Sequence, residues 1–118
     1  MKTTYAAENY EITPEVTAYT EEKVQGLERF VHDENAEIRI VYYREPKHQT
    51  GEVFRVDMTV HVGAHRTHAV GHGMTMIEAL DKAKDELKFR LTREKGRFIK
   101  MARAVQSRVK DALRFTKE

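Results

Sequence analysis

Four of the chain's six histidines, His61, His65, His68 and His72, fall in one short stretch, and imidazole is the side chain best suited to hold zinc. Three of them with a water at the fourth position would make a hydrolytic centre. The surrounding pattern argues against that chemistry. Alternation along a strand puts His61 on one face and separates it from the others across the turn at Gly63-Ala64. No helical His-x-x-x-His with an adjacent glutamate is present. The expectation is exposed strand and turn histidines, with no metal and no cofactor.

Nucleophilic catalysis finds even less support. The single serine, Ser107, lies on a basic amphipathic segment with no histidine near it in sequence, and there is no cysteine at all. The absence of cysteine excludes disulfides, thiolate catalysis and Cys-based zinc sites. Glu21, Glu22 and Glu28 read as a solvated helix face. Gly71-His72-Gly73 lacks the Lys-Ser/Thr ending of a phosphate loop. The chain is expected to be a non-enzyme.

A different chemistry is written in the charges. Residues 81–118 carry 13 basic and 6 acidic side chains, or +7, which leaves 8 basic and 13 acidic, or −5, for residues 1–80. The overall +2 thus describes an acidic body with a basic helical flank. Such a flank draws polyanions and speeds their association, nucleic acid above all.

The elements that must position these charges follow from periodicity. A strand is expected over Lys2 to Ala7. Thr13 is a good N-cap, Pro14 suits the first helical position and Glu15 faces the positive dipole end. Val16, Tyr19, Lys23, Val24, Leu27, Phe30 and Val31 then keep helical spacing to about His32. Ala36 to Tyr43 alternates as a strand, with Ile38 and Ile40 on one face and Arg39 and Val41 on the other. A loop holding Pro46 and Gly51 follows. Phe54, Val56, Met58, Val60 and Val62 share the next strand face. A fourth strand, Arg66 to Gly71, is expected to break at Gly71-His72-Gly73. Thr75-Met76-Ile77-Glu78 is a capping box opening a second helix with a stripe of Leu80, Ala83, Leu87 and Leu91. The stripe resumes in phase past Gly96, at Phe98, Met101, Val105, Val109 and Ala112.

This order, β-α-β-β-β-α with a helical extension, predicts an α+β two-layer sandwich: two helices on one face of a four-stranded sheet. At 118 residues the chain suits one core, divided here into a domain at 1–97 and a basic amphipathic extension at 98–118. No secretory leader and no apolar run of membrane-spanning length is seen, so a cytoplasmic protein without membrane contact is expected.

Three stretches carry a family resemblance. Asn9-Tyr10-Glu11-Ile12-Thr13-Pro14, then Tyr19, Glu22-Lys23-Val24 and Leu27-Glu28-Arg29-Phe30, resemble an "N-x-E-V-T…Y…K-K-I…L-E-K-Y" opening. His48-Gln49-Thr50-Gly51-Glu52-Val53-Phe54-Arg55-Val56-Asp57-Met58 is similar to "H-x-x-G-x-x-F-x-V-x-I". Ile77-Glu78-Ala79-Leu80-Asp81 with Ala83, Leu87 and Leu91 resembles "Y-x-A-I-D-x-A…L-x-x-x-L". Together they cover roughly residues 2–97 and resemble the ribosome hibernation-promoting factors, or ribosome-associated translation inhibitors, once called sigma-54 modulation proteins, in their short form. Ile77 stands in place of the usual aromatic, and Glu86 where many members carry lysine.

The resemblance implies a non-catalytic protein that docks on 16S rRNA in the decoding region of the small ribosomal subunit and inhibits translation in stress or stationary phase. By position it implies rRNA contacts from Lys23 and Arg29 on the first helix and from Lys82, Lys88, Arg90, Arg93, Lys95 and Arg97 on the second. Two other readings stand beside it, a generic double-stranded-RNA-binding adaptor and a His-based metal-dependent enzyme. The extension could pack on its own domain in a monomer, pair with a second copy as a short coiled coil, or lie on RNA or a protein neighbour.

Overall fold

The computed structural model describes residues 1–31, 33–46, 51 and 53–94. The chain runs β1 (Lys2–Glu8), α1 (Pro14–Leu27), β2 (Glu37–Arg44), β3 (Phe54–Val62), β4 (His65–Gly73) and α2, helical over residues 76–94. The strands form one sheet in the order β1-β2-β3-β4. β1 lies parallel to β2, across the α1 connection, and the remaining neighbours are antiparallel hairpins. The α+β sandwich read from the sequence is the observed one.

Local rules account for the element ends. Thr13 caps α1 by accepting the Val16 amide at 3.2 Å, with Pro14 just inside the helix. The helix tightens into a 3-10 turn at Glu28–Phe30, short of the expected His32, which lies outside the described residues. Gly63, at φ 59°, supplies the left-handed residue that the two-residue β3–β4 loop needs. Thr75 accepts the Glu78 amide at 3.1 Å, while the Glu78 carboxylate meets Lys82 at 3.1 Å.

Both helices lie on one sheet face and close a single core. Val16, Thr20, Val24 and Leu27 of α1 and Met76, Ala79, Leu80, Ala83, Leu87 and Leu91 of α2 are buried. Beneath them are Ile38, Ile40, Tyr42, Val56, Met58, Val60 and Ala69, the alternate residues of β2, β3 and β4.

One expectation fails instructively. Gly71-His72-Gly73 does not end the fourth strand, because β4 pairs with β3 as far as Gly73 opposite Phe54. The glycines answer to packing. A Cβ on Gly71 would lie 2.2 Å from the Ala79 carbonyl oxygen and 2.3 Å from the Ala83 nitrogen, and one on Gly73 would lie 2.6 Å from the Ala79 nitrogen. Glycine lets the backbone of α2 rest directly on β4. No described helix is long and apolar enough to cross a membrane. Ser107, Gly96 and the 98–118 extension lie outside the described residues.

Candidate nucleic-acid interface

α1 and α2 run side by side, joined by the Tyr19 hydroxyl donating to Asp81 at 2.6 Å. That bond, together with burial, pushes the Tyr19 phenol above its ordinary value. Lys23 Nζ sits 4.8 Å from the Tyr19 ring centroid, one turn along α1. At the far end of the seam, Phe30 takes a cation from each side, Arg29 at 4.9 Å and Lys88 of α2 at 5.6 Å. Three of the expected contacts, Lys23, Arg29 and Lys88, therefore line one seam although two elements supply them.

The other flank of α2 faces β4. Lys82 pairs with Glu78 at 3.1 Å and Arg90 with Glu86 at 2.8 Å, each an i,i+4 contact. Lys82, Glu86 and Arg90 line an open cleft of about 470 Å³ along the edge of β4, bounded on the strand by residues 68–72. Arg93 lies between this flank and the crown of the helix, its guanidinium 5.7 Å from the Phe89 ring centroid. Lys95 and Arg97 lie outside the described residues.

On the sheet face away from the helices, Arg55 is held between Asp57 at 3.0 Å and Glu45 at 3.3 Å, with its guanidinium 3.9 Å from the Tyr43 ring. Asp57 also meets His68 at 3.5 Å. The register brings His61, His68 and His72 to this same face, so His61 is not set apart from them as the alternation suggested. His65 is the one on the helix side. Its Nε2 lies 3.0 Å from Glu94, which also accepts from Thr67 at 2.5 Å. Burial alone would raise the Glu94 carboxyl, but the bonds from Thr67 and His65 outweigh it and hold the group below the ordinary carboxylate value. Among the described residues no three His, Asp or Glu side chains are grouped so as to hold a metal ion.

Comparison with known proteins fits this geometry. The family model described as sigma 54 modulation protein / S30EA ribosomal protein matches residues 3–99. The chain belongs to that family. Its fold is similar to the Thermus thermophilus Protein Y N-terminal domain, at 22% identity and a TM-score of 0.65, over 79% of this chain and 98% of that one. It is also similar to a ribosomal subunit interface protein from Coxiella burnetii, at 21% identity and a TM-score of 0.66, over 81% and 99% respectively. No curated protein sequence matches the chain.

Within the S30EA family frame the two departures find their places. Ile77 is half-buried against the core, an apolar contact that does not require a ring. Glu86 neutralises Arg90 beside the β4 cleft, so the acid falls on the flank away from the α1–α2 seam. The aromatic partners Tyr19, Phe30 and Phe89 were not among the expected contacts. Phe89 was legible as an aromatic out of phase with the Leu80, Ala83, Leu87, Leu91 stripe and flanked by Lys88 and Arg90.

Proposed function

We propose that this chain is a non-catalytic, cytoplasmic protein that binds the small ribosomal subunit through 16S rRNA in the decoding region and inhibits translation in stress or stationary phase. Membership of the S30EA ribosomal protein family supports the ribosome as partner, as does the likeness to a subunit interface protein. The observation that carries the contact surface is the convergence of Arg29 and Lys88 on Phe30. Two elements distant in sequence place their cations along one seam, continued by Lys23. A ring holds a guanidinium or ammonium in place without cancelling its charge, so the cation stays available to a phosphate.

The test is sedimentation with purified small subunits through sucrose gradients. Lys23→Glu, Arg29→Glu and Lys88→Glu combined should abolish association in a protein whose circular dichroism is unchanged. Wild-type affinity should fall linearly with log salt, by roughly 0.7–0.9 in slope per phosphate neutralised. Undiminished sedimentation of the folded triple variant would remove the seam from the proposal.

A further inference from the structure

Among the described residues Phe89 takes no part in the core. It is 60% exposed on a helix whose apolar stripe is otherwise buried. It follows Leu80 by nine residues, or about two and a half turns, so it stands on the crown opposite the core-facing side. Arg93, one turn on, leans back to within 5.7 Å of its ring centroid, as side chains tilted toward a helix N-terminus do. Lys88 stands on the seam flank and Arg90 on the cleft flank.

Two features set this ring apart from an ordinary protein-binding anchor. Among the described residues only Val70 and Met74 are also exposed large hydrophobics, one on β4's solvent side and the other in the loop before α2, so Phe89 belongs to no apolar patch. Its neighbours are charged, with Lys88 and Arg93 beside it, Arg90 paired with Glu86 at 2.8 Å and Asp85 paired with Lys84 at 2.8 Å, whereas the centre of a protein–protein interface is depleted of charge. An exposed ring with Lys88 and Arg93 beside it is a combination that takes a nucleobase on its face while the cations take the adjoining phosphates. Tyr19 and Phe30 carry cations too, but both are half-buried in the seam.

We infer that Phe89 is a base-stacking contact, which receives an unpaired nucleobase of the RNA whose phosphates Lys88 and Arg93 grip. This rests on the ribosome reading and sharpens it. The RNA at this point is single-stranded or bulged, since a base inside a duplex offers no face to a side chain.

The experiment compares Phe89 variants for affinity to purified small subunits at fixed salt. Phe89→Ala should weaken binding by roughly five- to 150-fold, the equivalent of about 1–3 kcal/mol for one stacked base. Its salt slope should stay that of the wild type, because stacking releases no counterions, whereas Arg93→Ala should flatten the slope. Phe89→Tyr should bind like the wild type and Phe89→Leu like Phe89→Ala. The melting temperature of Phe89→Ala should not fall, the ring being exposed. Wild-type affinity in Phe89→Ala would overturn the contact and leave the docking surface standing. Full rescue by leucine would overturn stacking in favour of a plain apolar contact. A wild-type chain that ignores small subunits would sink the ribosome reading and this contact with it.

Discussion

Replacing Gly71 by alanine should be far more damaging than one methyl group suggests. The added Cβ would lie 2.2 Å from the Ala79 carbonyl oxygen, 2.3 Å from the Ala83 nitrogen and 2.9 Å from the Ala83 Cα, all backbone atoms of α2. No rotamer change can relieve a clash with backbone. Ordinary contact begins near 3.4 Å, so α2 would have to retreat by about 3.4 − 2.2 = 1.2 Å. That retreat opens gaps beneath Leu80, Ala83 and Leu87, none of which is exposed at all. Overpacking costs about 1–3 kcal/mol when side chains can adjust, and an immovable obstacle places Gly71→Ala at or above the upper end. At roughly 4–8 °C per kcal/mol for a domain of this size, melting should fall by about 12 °C or more. Gly26, an α1 residue with nothing within 4 Å of its would-be Cβ, is the control. There alanine should stabilise by about 0.5–1 kcal/mol, because the chain loses less entropy on folding. Thermal melts followed by circular dichroism decide the matter. A Gly71→Ala protein that melts within about 2 °C of the wild type would refute the reading of β4 as the bed of α2.

Four other outcomes are expected. Thr20 Oγ1 donates to the Val16 carbonyl at 2.7 Å, so its 2.6 Å contact with Tyr42 is one in which the phenol donates; Thr20→Val should therefore cost about 1–3 kcal/mol by orphaning a buried donor, against about 0.5–1.5 for Tyr42→Phe. Burial pushes Tyr42 up to about 12 from 10.0, so its neutral form contributes stability that is fully present below pH 10 and lost as pH rises through 12; urea midpoints should drop over that window, and less steeply in Tyr42→Phe. Glu94 titrates below its ordinary 4.5, so its contribution is present above that pH and disappears as pH falls through the lowered value; Glu94→Gln should flatten the acid limb of the same urea titration. Plasma emission should find no stoichiometric zinc in protein purified without added metal, because the sheet holds His65 on the opposite side from His61, His68 and His72; one tight zinc per chain, lost in a His65/His68 double variant, would restore the hydrolase reading.

Much of the fold was legible because it rests on local rules. The Thr13 cap, Pro14 at the helix start, the Phe54–Val62 alternation and the α2 stripe are all short-range signals, and each stands where the residues place it. The misjudged end of β4 shows the limit. A glycine in a strand pattern marks either a break or a close approach, and only the partner that approaches tells which. Here the partner is a helix separated from the strand by only two residues, and its contact with Gly71 depends on how the turn at Met74-Thr75 aims it. Glu94 is a similar case. In sequence it interrupts an apolar stripe, but the β3–β4 hairpin delivers Thr67 and His65 to meet it. The candidate site was legible as a list of cations and not as a surface. Arg29 and Lys88 are brought together by Phe30, a residue that reads in sequence only as the tail of an apolar helix face.

The excess of +7 in residues 81–118 says that a polyanion is attracted, and the placement of the carboxylates says how the protein turns toward it. Glu78 and Glu86 each sit one turn before a cation of α2, Lys82 and Arg90, and both pairs fall on the flank facing β4. Exposed pairs of this type add only about 0.3–0.5 kcal/mol to stability, yet each places a negative charge within a few ångströms of a positive one and dims the field there. On the sheet's other face Arg55 is similarly held by Asp57 and Glu45. Lys23, Arg29, Lys88 and Arg93 are held by rings, which position a cation and leave its charge intact. Ring-held cations therefore mark the α1–α2 seam and the crown of α2 where Phe89 stands, with Asp81 engaged by the Tyr19 hydroxyl and Asp85 by Lys84. Cations paired with carboxylates on the cleft flank and cations held by rings on the seam give this layer a direction that a count of lysines and arginines does not contain.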